Sequence, residues 1–285
     1  MAITSFVPEI WSATLLSSLK ASLVFGGPGV ANRNYEGNIN PGATVKINAV
    51  AAPSIATYTA NSTTISPAVL ATTSQSLVID QSKYFAFAID DIDYRQAQDG
   101  GALMVEAANE SAYALADVAD AYLAAQAYAG TDAGNITAAT AVTTSALAVS
   151  ALIVMMTQLN DNNVPSQGRY VIVPPWFYAL LVTSDSFVDV SKSGSDESLR
   201  NGQVGRAFGF DVLVSSNTVS ADSATDNVLQ AGYSGAFTYA ESIMEVEAYR
   251  PESAFSDALK GLHVYGAVAT RGTALAAYVA SSNAI

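Results

Sequence analysis

The sequence predicts an α+β protein in which one long helix runs beside extended strands. Three observations carry that expectation. Residues 101–129 repeat small and apolar side chains in steps of three and four, the period of a helix. Apolar and polar residues alternate in strand fashion between Val45 and Ile89, and again over Phe237–Tyr249 and Leu262–Thr270. No regular strand–helix–strand rhythm and no internal repeat joins these segments.

Composition adds a constraint on the surface. The 285 residues fit one large domain or two modest ones, with ample length for a core. They carry 12 Lys and Arg against 25 Asp and Glu, a net charge of −13. Charged residues make up only 13% of the chain, about half the usual share in a soluble protein. A compact monomer of this mass would expose about 11,500 Å², leaving roughly one charge per 300 Å². So sparse a charge density points to a surface covered by further copies of the chain. Cysteine is absent, which excludes disulfides, thiolate metal sites and Cys nucleophiles. The single histidine, His263, excludes two-His metal motifs within one chain. The acidic balance argues against general nucleic-acid binding. No secretory leader is read at the N-terminus, and the apolar run Ala146–Met156 is too short to span a bilayer, so a soluble, unsecreted protein is expected.

The elements follow in order. Residues 8–24 read as a helix, with Pro8 in its first turn and Trp11, Leu15, Leu19 and Leu23 along one stripe. Gly26-Gly27-Pro28-Gly29 stops it, so the segment reads as an arm with a glycine hinge. Val45 and Ile47 begin a strand, and Leu77, Ile79, Phe85, Phe87 and Ile89 form a second, longer alternating run. The sequence between Lys46 and Asp80 has no charged residue. A long uncharged hairpin with few large apolar residues has no core of its own, and its edges invite pairing with another chain. In the helix at 101–129, Met104, Ala108, Ser111, Leu115, Val118, Tyr122, Ala125 and Ala129 are read as the inner stripe. Glu106, Glu110, Asp117 and Asp120 are read as the outer side, and Gly130 as the C′ glycine. The rod would be about 43 Å long. Thr131–Thr144 reads as a linker, Ser145–Leu159 as a second helix, Arg169–Val173 as a strand and Trp176–Val182 as a short helix after Pro174-Pro175. Phe210–Ser215 is a further strand, Asp222–Asp226 a polar loop, and the two long terminal strands join around Pro251.

Each candidate site has a plainer structural explanation. Gly202–Gly209 resembles a phosphate loop, but a strand rather than a helix follows it, so it reads as a turn. Asp90, Asp91 and Asp93 could do acid/base work or hold a hard cation. They lack calcium-loop spacing and precede the long helix, where acids suit the positive helix end. Ser234, Asp257 and His263 follow a hydrolase-like chain order, but Gly232-Tyr233-Ser234-Gly235-Ala236 lacks the final glycine of the nucleophile turn. Trp176-Phe177-Tyr178 could form a stacking platform, yet core packing at a helix start is favoured. No catalytic, cofactor-binding or metal site is therefore expected, no cofactor is implied, and a structural protein rather than an enzyme is the reading.

The order of elements resembles the major capsid proteins of tailed bacteriophages. Asn34–Ile39 followed by Gly42–Ile47 is similar to the entry into the extended loop of that family. Phe85–Asp93 resembles the return strand leading to the spine helix, and Arg169–Pro175 and Val204–Val212 look like axial-domain segments. The resemblance runs from Pro8 to about Val279. It implies an N-terminal arm at 1–33 and an extended loop at 34–84. A peripheral domain with the spine helix would take 85–135 and 236–269, and an axial domain 136–235 and 270–285. It further implies self-assembly into hexamers and pentamers of an icosahedral shell around double-stranded DNA. The implied partners are other copies of the chain, a scaffolding protein, a portal and, in some members, a decoration protein. No membrane partner is implied. The implied location is the virion, with assembly in the host cytoplasm. Some members crosslink neighbours through a Lys–Asn isopeptide bond; Lys46 and Lys83 lie in or near the hairpin, but the full trio is not matched. Gly26–Gly29 and the hairpin base are the hinge candidates for shell maturation. The rival readings are a cargo-enclosing shell of the same fold, a cell-surface array and, last, a carboxylate hydrolase using Asp90, Asp91 or Asp93.

Overall fold

A computed structural model describes residues 23–35, 44–50, 55–65, 69, 72–90, 100–184, 205–221, 226–253 and 255–281. The expected arm helix at 8–24 falls almost wholly outside the described residues, as do Asp91, Asp93 and Gly202.

Three sheets organise these residues. Strands β1 (Thr44–Val50) and β2 (Thr72–Val78) form an antiparallel hairpin, Thr44 opposite Val78 and Val50 opposite Thr72. Strands β3 (Gln81–Asp90), β9 (Phe237–Tyr249) and β10 (Ser256–Ala269) form an antiparallel sheet with β10 in the centre. The third sheet has six strands in the order β4-β11-β8-β5-β7-β6. These are β4 (Ile136–Ala141), β5 (Arg169–Val173), β6 (Arg206–Ala207), β7 (Phe210–Val214), β8 (Asp226–Tyr233) and β11 (Leu275–Ser281). The β4–β11 and β5–β7 pairs are parallel.

Helices α1 (Gly100–Ala129), α2 (Ser145–Asp161) and α3 (Pro175–Val182) pack on the sheets. Strand β5 is buried along its whole length because both its faces are covered. Val171 and Val173 meet α2, α3 and β11 through Leu152, Met155, Phe177 and Leu275. Tyr170 and Ile172 meet α1, the 23–31 segment and β9 through Leu123, Phe25 and Phe237. That double coverage explains the unbroken Tyr-Val-Ile-Val run. Thr144 caps α2 by accepting from the Leu147 N–H, and Pro175 opens α3 where its missing N–H is harmless.

The structure corrects several expectations. The single alternating run over 77–89 is two strands, because the pairing partner changes between Val78 and Gln81, from β1 to β10. Thr131–Thr144 is not a plain linker: it contains β4, an exposed edge strand whose small residues gave no alternating signal. Strand β8 was not expected. Only Val228 and Leu229 are large and apolar in it, yet it lies between β11 and β5. Asp226 opens that strand rather than closing a loop, and β10 starts six residues before Leu262.

The inner face of α1 is also rotated from the expected one. Ala112, Leu115, Ala116, Ala119, Leu123, Ala124 and Ala127 are buried, whereas Val118, Ala125 and Ala129 are exposed. A stripe built mostly of alanine brings the helix backbone close to the sheet, so small residues, not large ones, mark the buried side. Asp120, expected on the outer side, is only 3% exposed. Gly130 follows the helix, but without a left-handed φ. A Cβ there would stand 2.3 Å from that of Ala269, so close approach to β10 is what requires glycine.

Candidate assembly interface

Two features dominate the outer parts of the molecule: apolar side chains with nothing covering them, and buried polar anchors that fix the elements carrying them. Among the described residues the apolar packing of the hairpin is at its base. Leu77 and Ile79 pack with Ala240 and Val264, flanked by Val45, Ile47 and Leu262. Beyond that base, Ile55 is 98% and Val69 96% exposed. Tyr84 on β3 is 79% exposed, Phe255 in the β9–β10 turn 80%, and Ile65 and Tyr58 are exposed as well. Single exposed apolar residues are ordinary, but this many on projecting elements mark surfaces that meet another protein.

The first anchor lies under the hairpin base. Glu241 of β9 is buried and pairs with Arg33, its other oxygen accepting from the Tyr239 hydroxyl. His263 Nε2 lies 3.2 Å from the same carboxylate oxygen. Arg33 also donates to the Gly26 carbonyl at 3.2 Å, and its guanidinium stands 5.3 Å from the Tyr239 ring centre. Burial alone would raise the Glu241 pKa. The His263 hydrogen bond, the Arg33 charge and the Tyr239 hydroxyl outweigh it and hold the carboxyl below its ordinary value. The cluster thereby ties the 26–33 segment to the centre of the three-stranded sheet. An Asn32 bridge to β9 reinforces the tie: its N–H donates to Phe237 and its carbonyl accepts from Tyr239.

The second anchor is Asp120. One carboxylate oxygen accepts from the Val24 and Phe25 N–H groups at 3.0 and 2.8 Å, and the other stands 3.5 Å from the Ser215 hydroxyl. Burial pushes its pKa up to about 6 against the lowering effect of those donors. Asp120 therefore joins α1, the N-terminal segment and the loop after β7.

The candidate residues weighed and set aside in the sequence do not come together. Asp257 pairs at 3.7 Å with Arg250 at the outer end of β10. His263 is six residues further along the same strand, about 20 Å away, and is occupied by Glu241. Ser234 sits in the β8–β9 turn. Asp90 ends β3 exposed to solvent. Within Gly202–Gly209, Phe208 and Gly209 both have positive φ, 49° and 81°, between the paired residues Ala207 and Phe210. That is a two-residue hairpin turn of the type that glycine favours, not a phosphate loop. Phe177 is fully buried and the Trp176 indole N–H donates to Asn227 at 2.8 Å, so that triplet packs the core. Lys46 and Lys83 are both exposed. Among the described residues no cluster of three acids or histidines could hold a metal, and no helix is long and apolar enough to cross a membrane. Arg33 and Glu241 are 208 positions apart. Sequence spacing could not pair them, though a glutamate inside the apolar Ala236–Ile243 stretch was a signal. Asp120 was detectable as the one acid in line with the alanine stripe.

A long helix beside a sheet, a hairpin whose apolar packing among the described residues is at its foot and uncovered apolar projections define a subunit built to tile against copies of itself. A model of the phage capsid protein family matches residues 72–279, and the chain belongs to that family. It is a major capsid shell protein of the virion, assembled from many copies. The structure is similar to that of Mycobacterium phage Che8, at 30% identity and a TM-score of 0.75, covering 97% of this chain and 98% of that one. It also shares its fold with the capsid of the cyanophage P-SCSP1u at 15% identity and a TM-score of 0.70, covering 92% and 89%. The mature capsid of bacteriophage PhiM1 is similar at 14% identity and a TM-score of 0.66, covering 90% and 93%. No curated protein matches the sequence.

Proposed function

We propose that this subunit forms the hexamers and pentamers of an icosahedral shell that encloses double-stranded DNA. Its role is structural, without catalysis. Residues 34–84 act as the extended loop, 85–135 and 236–269 as the peripheral domain, and 136–235 and 270–285 as the axial domain, with 1–33 as the N-terminal arm. A scaffolding protein, a portal and a decoration protein are its further partners, and assembly takes place in the host cytoplasm before the shell becomes part of the virion. The observation that carries this reading is the hairpin: fixed at Leu77 and Ile79, uncovered at Ile55, Ile65 and Val69. Such an element is completed by lying on a neighbour, and head-to-tail contacts of that kind close into rings. The net charge of −13 limits adhesion between the shell wall and packaged DNA. The phage family match supports this reading over a cargo-enclosing shell or a surface array.

The test is electron microscopy of the rapidly sedimenting fraction after co-expression with the scaffolding protein. Uniform closed shells are expected, and particles from infected cells should contain nuclease-resistant duplex DNA. Flat sheets would overturn the reading in favour of a surface array, and enclosed enzymes in place of DNA would favour a cargo shell.

A further inference from the structure

A cleft of about 720 Å³ opens where the hairpin meets the loops at the edge of the six-stranded sheet. Asn48 and Gln75 of the hairpin line one part of it, Asn163 after α2 another, and Tyr233 at the end of β8 and Arg271 from the β10–β11 connection a third. A second cavity of about 390 Å³ shares Asn32, Tyr233 and Gly235 with it, so the two form an elongated groove.

The lining has a distinct chemistry. It is rich in side-chain amides, each offering both donors and an acceptor, as a peptide backbone requires. Among the described residues no carboxylate lines either cavity. Arg271 is exposed and has no ion-pair partner among the described residues. Thr238 lines the cleft too, and its fully buried hydroxyl lacks a hydrogen-bond partner among the described residues. An unpaired buried hydroxyl is costly unless something completes it.

We propose that this groove receives an extended, acid-bearing segment of a second copy of the chain. The proposal rests on the shell reading, which places copies side by side. Charge complementarity selects the occupant: among the described residues the groove offers an arginine without an ion-pair partner and no acid, while the chain carries 25 acids against 12 bases. The groove's elongated form suits a strand of peptide, whose N–H and C=O groups meet the amides while a carboxylate meets Arg271.

The test places a photoreactive p-benzoylphenylalanine at Thr273, an exposed residue lining the cleft, in shells co-assembled from isotopically light and heavy chains. After irradiation, a species of twice the subunit mass is expected, with a light–heavy linked peptide containing Asp or Glu. Links confined to one chain, or to a peptide without acids, would overturn the proposal while leaving the shell reading intact. In parallel, Arg271→Glu is expected to cut shell yield at least tenfold with the melting temperature of the free subunit unchanged, and Arg271→Lys to restore most of it. Arg271→Glu shells at full yield would also overturn it. Failure of the unmodified chain to form shells would overturn both readings.

Discussion

The six-stranded sheet and the three-stranded sheet with its hairpin treat burial in opposite ways. In the first, helices cover both faces of β5, and side chains such as Val171, Ile172 and Phe177 are wholly inside. In the second, six of the ten residues of β3 are exposed and none is buried, and the hairpin leaves Ile55, Ile65 and Val69 exposed. The first region contains what it needs to fold. On the proposed reading, β3 and the hairpin are finished by another subunit. Strands β9 and β10 join the core through Phe237, Tyr239 and Tyr265 and the Arg33–Glu241–His263 cluster, and Leu77 and Ile79 fix the hairpin to them. Substitutions in the first region should therefore act on subunit stability, and exposed ones in the second on assembly.

The largest effect on the folded subunit is expected where the two modes meet. Gly266 of β10 passes so close to the hairpin base that a Cβ would stand 2.2 Å from the Val78 carbonyl oxygen. Both partners are backbone, so Gly266→Val must displace the hairpin or the strand. The expected loss is more than about 4 kcal/mol, in the exceptional range for one substitution, read by denaturant unfolding. Phe177→Ala should follow, costing about 3–5 kcal/mol through the cavity left in the core. Glu241→Ala would remove the buried carboxylate that Arg33, Tyr239 and His263 share, at a cost of about 3 kcal/mol. If it proves silent, the anchor assigned to the 26–33 segment is wrong.

Asp120 gives a smaller effect of opposite sign. Its folded pKa, about 6, lies above the ordinary 3.8, so the native state binds the extra proton between these values. Its contribution is fully present below pH 3.8 and is lost as pH rises through 6. Asp120→Asn removes the cost of burying the charge and keeps acceptors for Val24 and Phe25. It should stabilise the subunit at pH 7, by at most about 3 kcal/mol, and flatten the stability profile between pH 4 and 6. Glu241 acts the other way: its lowered pKa makes its contribution present at neutral pH and lost as pH falls below the ordinary carboxylate range. Equal pH profiles for Asp120→Asn and the unmodified chain would contradict the buried, proton-binding role given to this anchor.

The smallest effect on stability is expected at the exposed projections. Ile55→Ser and Tyr84→Ser should change unfolding free energy by less than about 0.5 kcal/mol. Shell yield should nonetheless fall severalfold, as read by sedimentation. If both variants assemble normally, these side chains are not interface residues.

The parts legible in the sequence were those with a strong period or strong punctuation. The long helix, α2, β5, the Pro174-Pro175 helix start and the uncharged hairpin were readable because spacing, proline and absent charge act locally. The inner face of α1 was not, because alanine carries little hydrophobic weight and its role there is to allow close approach. Strands β4 and β8 escaped because neighbours, not their own residues, make them strands. The polar anchors were hidden for a related reason: Arg33 meets Glu241 only after the sheet has formed. Conversely, the apparent Ser234–Asp257–His263 order shows that chain order without spatial convergence carries no chemistry.

Hydrogen–deuterium exchange on the free subunit and on assembled shells, compared strand by strand, tests the division of the molecule most directly. Backbone amides of β1, β2 and β3 should exchange quickly in the free subunit and gain at least tenfold protection in shells. Those of β5, β8 and β11 should be protected alike in both. Equal protection of the hairpin before and after assembly would contradict the division, because it would mean that the hairpin is complete without a neighbour.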